Sequence, residues 1–134
     1  RAEELGMRFA TIVHPTARVS RMARLGDGTL VSAGVLVTTH SAVGRHVILN
    51  RGAIIGHHVQ IGDGATISPG ANLAGAVTVG QRAWVGLSAV VLEKRTVGAH
   101  SVVGAGAVVT QDVPDRVMVV GVPAKIVKEN MDGL

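Results

Sequence analysis

Aliphatic residues recur at every sixth position of the chain from Val13 to Val109, without an insertion or a deletion. An α-helix repeats its faces every 3.6 residues and a strand every two, so neither keeps one aliphatic face at a period of six. A solenoid that turns a corner after each six residues does keep it. The pattern predicts an all-β fold, a parallel β-helix of hexapeptide repeats, with these inward positions: Val13, Val19, Leu25, Val31, Val37, Val43, Leu49, Ile55, Ile61, Ile67, Leu73, Val79, Val85, Val91, Val97, Val103 and Val109.

Three hexapeptides make one triangular coil, so residues eighteen apart in the sequence are predicted to lie above one another. The repeat is long enough for five to six coils, which at about 4.8 Å per coil form a prism roughly 27 Å long. We expect an N-terminal segment at residues 1–12, the β-helix at residues 13–114 and a short C-terminal extension at residues 115–134. The first segment is either a cap on the β-helix or the remainder of a preceding domain.

The residue before each inward position points outward and shows what each face presents to its surroundings. Two of the three faces are largely apolar, whereas the third carries Arg24, Gln60 and Thr78. An apolar surface of this size on a single chain favours association. The two apolar faces meet at one corner and form a wedge, and three such wedges, one from each chain, close around a threefold axis. The pattern therefore predicts a homotrimer, with contacts through Leu30, Ile48 and Trp84 on one face and Leu36, Ile54 and Val90 on the next.

Composition narrows the possible chemistry. The chain has no Cys, which excludes disulfides, thiolate metal sites and a cysteine acyl-enzyme, and which agrees with a cytoplasmic location. The formal net charge of +4 favours an anionic ligand. With one Trp, one Phe and no run of Lys or Arg, nucleic acid is not an expected partner. No apolar run is long enough to span a bilayer, so we expect no membrane partner.

Six histidines are the candidate chemical groups, and three interpretations are open for them. They can ligate a metal, serve as a general base near neutral pH, or be solvated corner residues. His57 and His58 differ from His14, His46 and His100 because their corner lies at the far edge of the second apolar face. In a trimer this edge becomes the rim of a cleft between subunits, and the small residues around Gly75 leave room for a ligand there.

Four stretches resemble the left-handed β-helix acetyltransferases that modify bacterial sugars, in particular the sialic-acid O-acetyltransferase and UDP-4-amino-sugar N-acetyltransferase family. They read Ile-Gly-His-His-Val-Gln-Ile-Gly-Asp at 55–63, Ile-Ser-Pro-Gly-Ala-Asn-Leu-Ala-Gly at 67–75, Val-Gly-Ala-Gly-Ala-Val-Val-Thr at 103–110 and Gly-Val-Pro-Ala-Lys at 121–125. The resemblance covers almost the whole chain, because residues 9–15 are similar to the junction that follows the family's N-terminal nucleotide-sugar domain.

The resemblance implies left-handed coils, a trimer, acetyl-CoA as the co-substrate without a metal, and a sugar or nucleotide-sugar acceptor. It implies that His57 is the general base, with His58 beside it as the second catalytic position. The cofactor-contacting positions carried over from the family are Thr66, Gly75, Leu87 and Ala105. We expect Lys125, together with Arg82 or Arg95, to meet the CoA phosphates.

The sequence departs from the family in three respects. His58 stands where the family usually has Glu or Asp, Thr66 stands where some members have His, and the nucleotide-sugar domain is not part of this sequence. Two alternatives therefore stay open: a metal enzyme like the γ-class carbonic anhydrases, which hold zinc with three histidines, and a non-catalytic structural β-helix. The acceptor, and whether an amine or a hydroxyl is acetylated, are left open as well.

Overall fold

The computed structural model describes residues 1–133 and shows a parallel β-helix of about six turns. Seventeen two-residue strands follow one another at intervals of six residues, each with the predicted aliphatic residue at its second position. They are β1 (Ile12–Val13), β2 (Arg18–Val19), β3 (Arg24–Leu25), β4 (Leu30–Val31), β5 (Leu36–Val37), β6 (Ala42–Val43), β7 (Ile48–Leu49), β8 (Ile54–Ile55), β9 (Gln60–Ile61), β10 (Thr66–Ile67), β11 (Asn72–Leu73), β12 (Thr78–Val79), β13 (Trp84–Val85), β14 (Val90–Val91), β15 (Thr96–Val97), β16 (Val102–Val103) and β17 (Val108–Val109).

The strands form three parallel sheets, one for each side of the prism. Sheet A contains β1, β4, β7, β10, β13 and β16; sheet B contains β2, β5, β8, β11, β14 and β17; sheet C contains β3, β6, β9, β12 and β15. Each residue pairs with the one eighteen positions later, as Thr66 does with Trp84. Because the register never shifts along these strands, every corner is also a column of residues from successive coils. We call the three columns the A–B, B–C and C–A corners after the sheets they join.

The core is the single column of aliphatic side chains inside the prism. Leu49, Ile55, Ile67 and Leu73 are fully buried, and the small residues at the corners fill the space between them. Val13 is 43% exposed because the first coil has no coil beneath it to cover the open end. The predicted core is thus confirmed in the middle coils and is open at the N-terminal end.

The C-terminal residues continue sheet A. Strand β18 (Met118–Val120) pairs in parallel with β16, and β19 (Lys125–Lys128) turns back and pairs antiparallel with β18 after a cis peptide bond at Val122–Pro123. Beyond β19, Met131 is buried and its backbone N–H donates a hydrogen bond to the carbonyl oxygen of Arg116 at 2.8 Å. The end of the described chain is therefore folded against the C–A corner.

The N-terminal segment is attached to the same corner lower in the prism. Residues 1–6 form a turn, and Glu3 pairs with both Arg45 and His46, whose ring also meets Phe9 edge-on at 4.7 Å. The hydrogen bond from His46 and the charge of Arg45 hold the pKa of Glu3 below its usual value. Within residues 1–133, no helix has the length and apolar character needed to cross a membrane.

Candidate active site

The B–C corner carries side chains at backbone positions that favour glycine. His40, His58, Ala76 and Lys94 occupy one column and have φ angles of 56°, 57°, 57° and 58°. In the equivalent column of the A–B corner, four of the five residues with positive φ are glycines. An L-residue in this conformation costs about 1–2 kcal/mol relative to the right-handed region. The C–A corner also has non-glycine residues at positive φ, namely His46, Arg82, His100 and Arg116, so the B–C column is distinguished by its side-chain contacts and not by its backbone.

Three imidazoles contact one another on this corner. The Nδ1 atoms of His57 and His58 lie 3.1 Å apart, with the two rings almost perpendicular at 84°. The ring of His58 stacks on that of His40, one coil earlier, with centroids 4.9 Å apart and an angle of 14° between the planes. His40 in turn lies 2.9 Å from the hydroxyl of Thr39 through its own Nδ1. The cluster forms a connected chain from Thr39 to the exposed ring of His57.

Gly75 creates the space in which the His57 ring lies. It is one coil above His57, and a methyl group added to its Cα would come within 2.6 Å of His57 Cε1 and 3.1 Å of Cδ2. Any side chain at position 75 would therefore displace the imidazole. Among residues 1–133, no protein group is hydrogen-bonded to Nε2 of His57, which is the ring atom lying closest to Gly75.

The other predicted cofactor positions lie away from His57. Leu87 and Ala105 are exposed neighbours on the A–B corner, at the opposite edge of sheet B. Thr66 is nearly buried on sheet A, and Lys125 is exposed on β19. One chain therefore brings Gly75 against His57 and Leu87 beside Ala105, but it does not bring these two pairs together.

A cavity of about 320 Å³ lies where sheet A meets the C–A corner. It is lined by Thr66, Arg82, Trp84 and Asp132, with Gly64 and Ala83 completing its wall. Arg82 has no carboxylate partner within residues 1–133, whereas Arg95 lies 3.9 Å from Asp112. Arg82 is thus the better placed of the two arginines expected to bind phosphate. Asp132 could not be predicted from the sequence, because its position depends on how the C-terminal residues fold back.

Metal ligation was the second interpretation of the histidines. In the part of the chain that the structure describes, no three His, Cys, Asp or Glu side chains are grouped closely enough to hold a metal ion. His40, His57 and His58 are close, but they contact one another through ring stacking and a shared hydrogen bond. This geometry is that of a hydrogen-bonded cluster.

Comparison with known proteins shows which repeat model and which solved structures the chain resembles. Residues 40–75 match the model described as "Bacterial transferase hexapeptide (six repeats)". The structure is similar to PerB of Caulobacter crescentus, solved in complex with CoA and GDP-perosamine, with a TM-score of 0.94 and 42% identity over 95% of this chain and 61% of that one. It is also similar to the acetyltransferase domain of PglB from Neisseria gonorrhoeae, with a TM-score of 0.93 and 36% identity over 94% of this chain and 62% of that one.

A third match is WeeI from Acinetobacter baumannii, with a TM-score of 0.90 and 29% identity over 94% of this chain and 62% of that one. No curated protein gives a significant sequence match. The chain contains hexapeptide repeats that match this model, and over almost its whole length it is similar to perosamine N-acetyltransferase and to the acetyltransferase domain of PglB, as its sequence indicated. It spans about 61% of the length of the solved structures it matches first.

Proposed function

We propose that the chain carries the acetyltransferase site of an enzyme that transfers acetyl from acetyl-CoA to the amine of a nucleotide-linked sugar. The observation that carries the proposal is the 42% identity, over 95% of the chain, to a protein solved with CoA and GDP-perosamine bound. The PglB domain, which is 36% identical, was also solved with acetyl-CoA. The absence of Cys fits a reducing compartment, so we place the reaction in the cytoplasm.

In the proposed reaction, His57 is the general base. Its Nε2 accepts a proton from the sugar amine while the amine nitrogen attacks the thioester carbonyl carbon. The new C–N bond forms, the C–S bond breaks, and the proton passes from Nε2 to the departing CoA sulfur. The exposed ring over Gly75 and the lack of a protein partner for Nε2 support this role. Without a Cys in the chain, direct transfer is favoured over an acyl-enzyme on sulfur.

A complete site requires more than one copy of the chain. His57 lies at the B–C edge of sheet B, whereas Leu87 and Ala105 lie at its A–B edge. The outward side chains of Leu30, Ile48, Leu36 and Ile54, on sheets A and B, are 38–40% exposed. Packing sheet A of one copy against sheet B of the next would cover them and would form a groove between subunits. We therefore propose a homotrimer with CoA held in that groove.

The CoA phosphates provide a specific prediction. Lys125→Ala and Arg82→Ala are each expected to weaken acetyl-CoA binding about fivefold, because partly solvated ion pairs contribute about 1 kcal/mol or less. For the same reason, the affinity of the unchanged protein should fall as salt is raised. Isothermal titration calorimetry at two salt concentrations measures both effects. Lys128→Ala, at the other end of β19, is the matched control, and a salt-independent affinity that neither variant alters would refute the assignment.

The function itself is tested with the two ligands named for the similar structure. Purified protein is incubated with acetyl-CoA and GDP-perosamine, and free CoA thiol and acetylated sugar are measured together. The proposal predicts equimolar formation of both products. Release of thiol without acetylated sugar would show a hydrolase instead, and zinc in a stoichiometric amount in an active protein would favour the carbonic-anhydrase alternative.

A further inference from the structure

The contact between His57 and His58 restricts where their hydrogens can be. A neutral imidazole carries one N–H and one unprotonated nitrogen, so it donates at one ring atom and accepts at the other. Two Nδ1 atoms 3.1 Å apart are within hydrogen-bond distance, and one of them must donate to the other. The two histidines are therefore in opposite tautomers when both are neutral.

The direction of this hydrogen bond decides whether His57 can act as a base. If His58 donates, His57 carries its hydrogen on Nε2, and this nitrogen cannot accept a proton. If His57 donates, its Nε2 is unprotonated; this atom lies against Gly75, at the exposed edge of the corner, and is the ring atom that a methyl group at position 75 would meet first. Only the second direction supports the proposed reaction.

We propose that His58 is a positioning residue whose unprotonated Nδ1 accepts a hydrogen bond from His57 and holds His57 in the tautomer with a free Nε2. The inference rests on the proposed function, since it assigns the base its tautomer. It also explains how a chain without the usual carboxylate at position 58 keeps a competent base. When His57 gains a proton, its bond to His58 becomes charge-assisted and therefore stronger.

The surroundings of His58 hold its ring in place. Stacking on His40 at 4.9 Å restricts rotation about the side-chain torsions, and His40 is itself held beside the Thr39 hydroxyl. His58 keeps a φ of 57°, which glycine would adopt at less cost. Ala76 and Lys94 have the same φ in the same column, so the ring contacts with His40 and His57 are what distinguish His58.

Few other titratable groups face this pair. His40 lies one coil before it, Gly75 and Ala76 one coil after it carry no charge, and Glu93 and Lys94 lie two coils after it, about 9 to 10 Å away. Within residues 1–133, no carboxylate is therefore close enough to accept the His57 hydrogen bond. His58 is the group in contact with Nδ1 of His57.

The tautomer can be measured without any assay of activity. In protein labelled with ¹⁵N at histidine, we expect His57 to show a protonated Nδ1 and an unprotonated Nε2 at a pH where both rings are neutral. In His58→Leu, His57 should revert toward the Nε2–H tautomer. A wild-type His57 with its hydrogen on Nε2 would overturn the inference. If the tautomer is as expected but no acetyl transfer occurs, the proposed function fails and the tautomer assignment stands.

Kinetic variants separate positioning from structure. We expect His58→Gly to lower kcat about 10- to 100-fold, as loss of an orienting partner typically does, with acetyl-CoA affinity unchanged and no loss of thermal stability. Ala76→Gly, in the same column with the same φ, is the control that relieves strain without altering kcat. Equal kcat values for the wild type and His58→Gly would overturn the inference.

A second pair of variants tests whether a hydrogen-bond acceptor at position 58 is what supports the rate. His58→Asn presents an amide oxygen that can accept from His57 and should recover part of the rate lost in His58→Leu. His58→Glu should recover it and also move the acid limb of the kcat/KM profile to higher pH, because an adjacent carboxylate favours the protonated form of His57. Failure of both variants to exceed His58→Leu, at equal folding, would contradict a positioning role.

Discussion

His57→Ala is expected to lower turnover about 10²- to 10⁴-fold, with acetyl-CoA affinity nearly unchanged. The reason is that a positioned general base contributes about this much to proton transfer, and in the proposed reaction His57 contacts the amine and not the cofactor. Steady-state kinetics of acetyl transfer measure the loss, and calorimetry with acetyl-CoA measures the affinity. The site thus predicts an effect on kcat far larger than the effect on binding.

His14→Ala is the matched control for this variant. His14 is also an exposed histidine on a corner, but it lies on the first coil, where its Nδ1 is 2.9 Å from the Thr16 hydroxyl. The His14→Ala variant should have the same turnover as the wild type. If His57→Ala keeps full activity, or if His58→Ala is the more damaging of the two at equal folding, then the assignment of the base to His57 is wrong.

Ile48→Asp and Ile54→Asp are each expected to convert the proposed trimer into monomers or aggregates. Ile48 on sheet A and Ile54 on sheet B are 39% and 40% exposed in the single chain, and both would be covered on association. Burying a carboxylate without a partner in such an interface costs several kcal/mol, which exceeds what a single apolar contact provides. Light scattering of the purified variants gives the mass directly.

Gln60→Asp provides the comparison on the polar face. Gln60 is also the outward residue of a two-residue strand, β9 of sheet C, and is exposed. The Gln60→Asp variant should have the same assembly mass in light scattering as the wild type. An unchanged mass for both isoleucine variants would show that sheets A and B are not the contact faces, and the groove proposed for CoA would then lose its second wall.

The period of six was sufficient to predict the fold because it fixes the register as well as the turns. Once Thr66 and Trp84 are eighteen residues apart in such a repeat, parallel pairing between them follows, and this pair is formed. The same spacing relates His40 to His58, so their stacking was accessible from the sequence. Burial also followed the pattern, except in the first coil at the end of the prism, where Val13 is exposed and Val19 and Leu25 are only partly buried.

The details of the candidate site depend on three-dimensional geometry that the six-residue period of the sequence does not determine. The Nδ1 contact between His57 and His58 requires a left-handed backbone at position 58, where glycine would be expected. Asp132 reaches the cavity beside Arg82 only because the chain after β19 folds back onto the C–A corner. Such long-range placement is not encoded in a local repeat, so the sequence pointed to His57 as a candidate base but did not indicate Asp132.

Titration of the purified protein with acetyl-CoA by isothermal calorimetry tests the central claim most directly. The claim is that this β-helix binds the acetyl donor, and the measurement needs no knowledge of the acceptor. We predict saturable heat with one site per chain and an affinity that falls with salt. The absence of saturable heat, in protein shown by light scattering to be assembled, would contradict the account and would favour a purely structural β-helix.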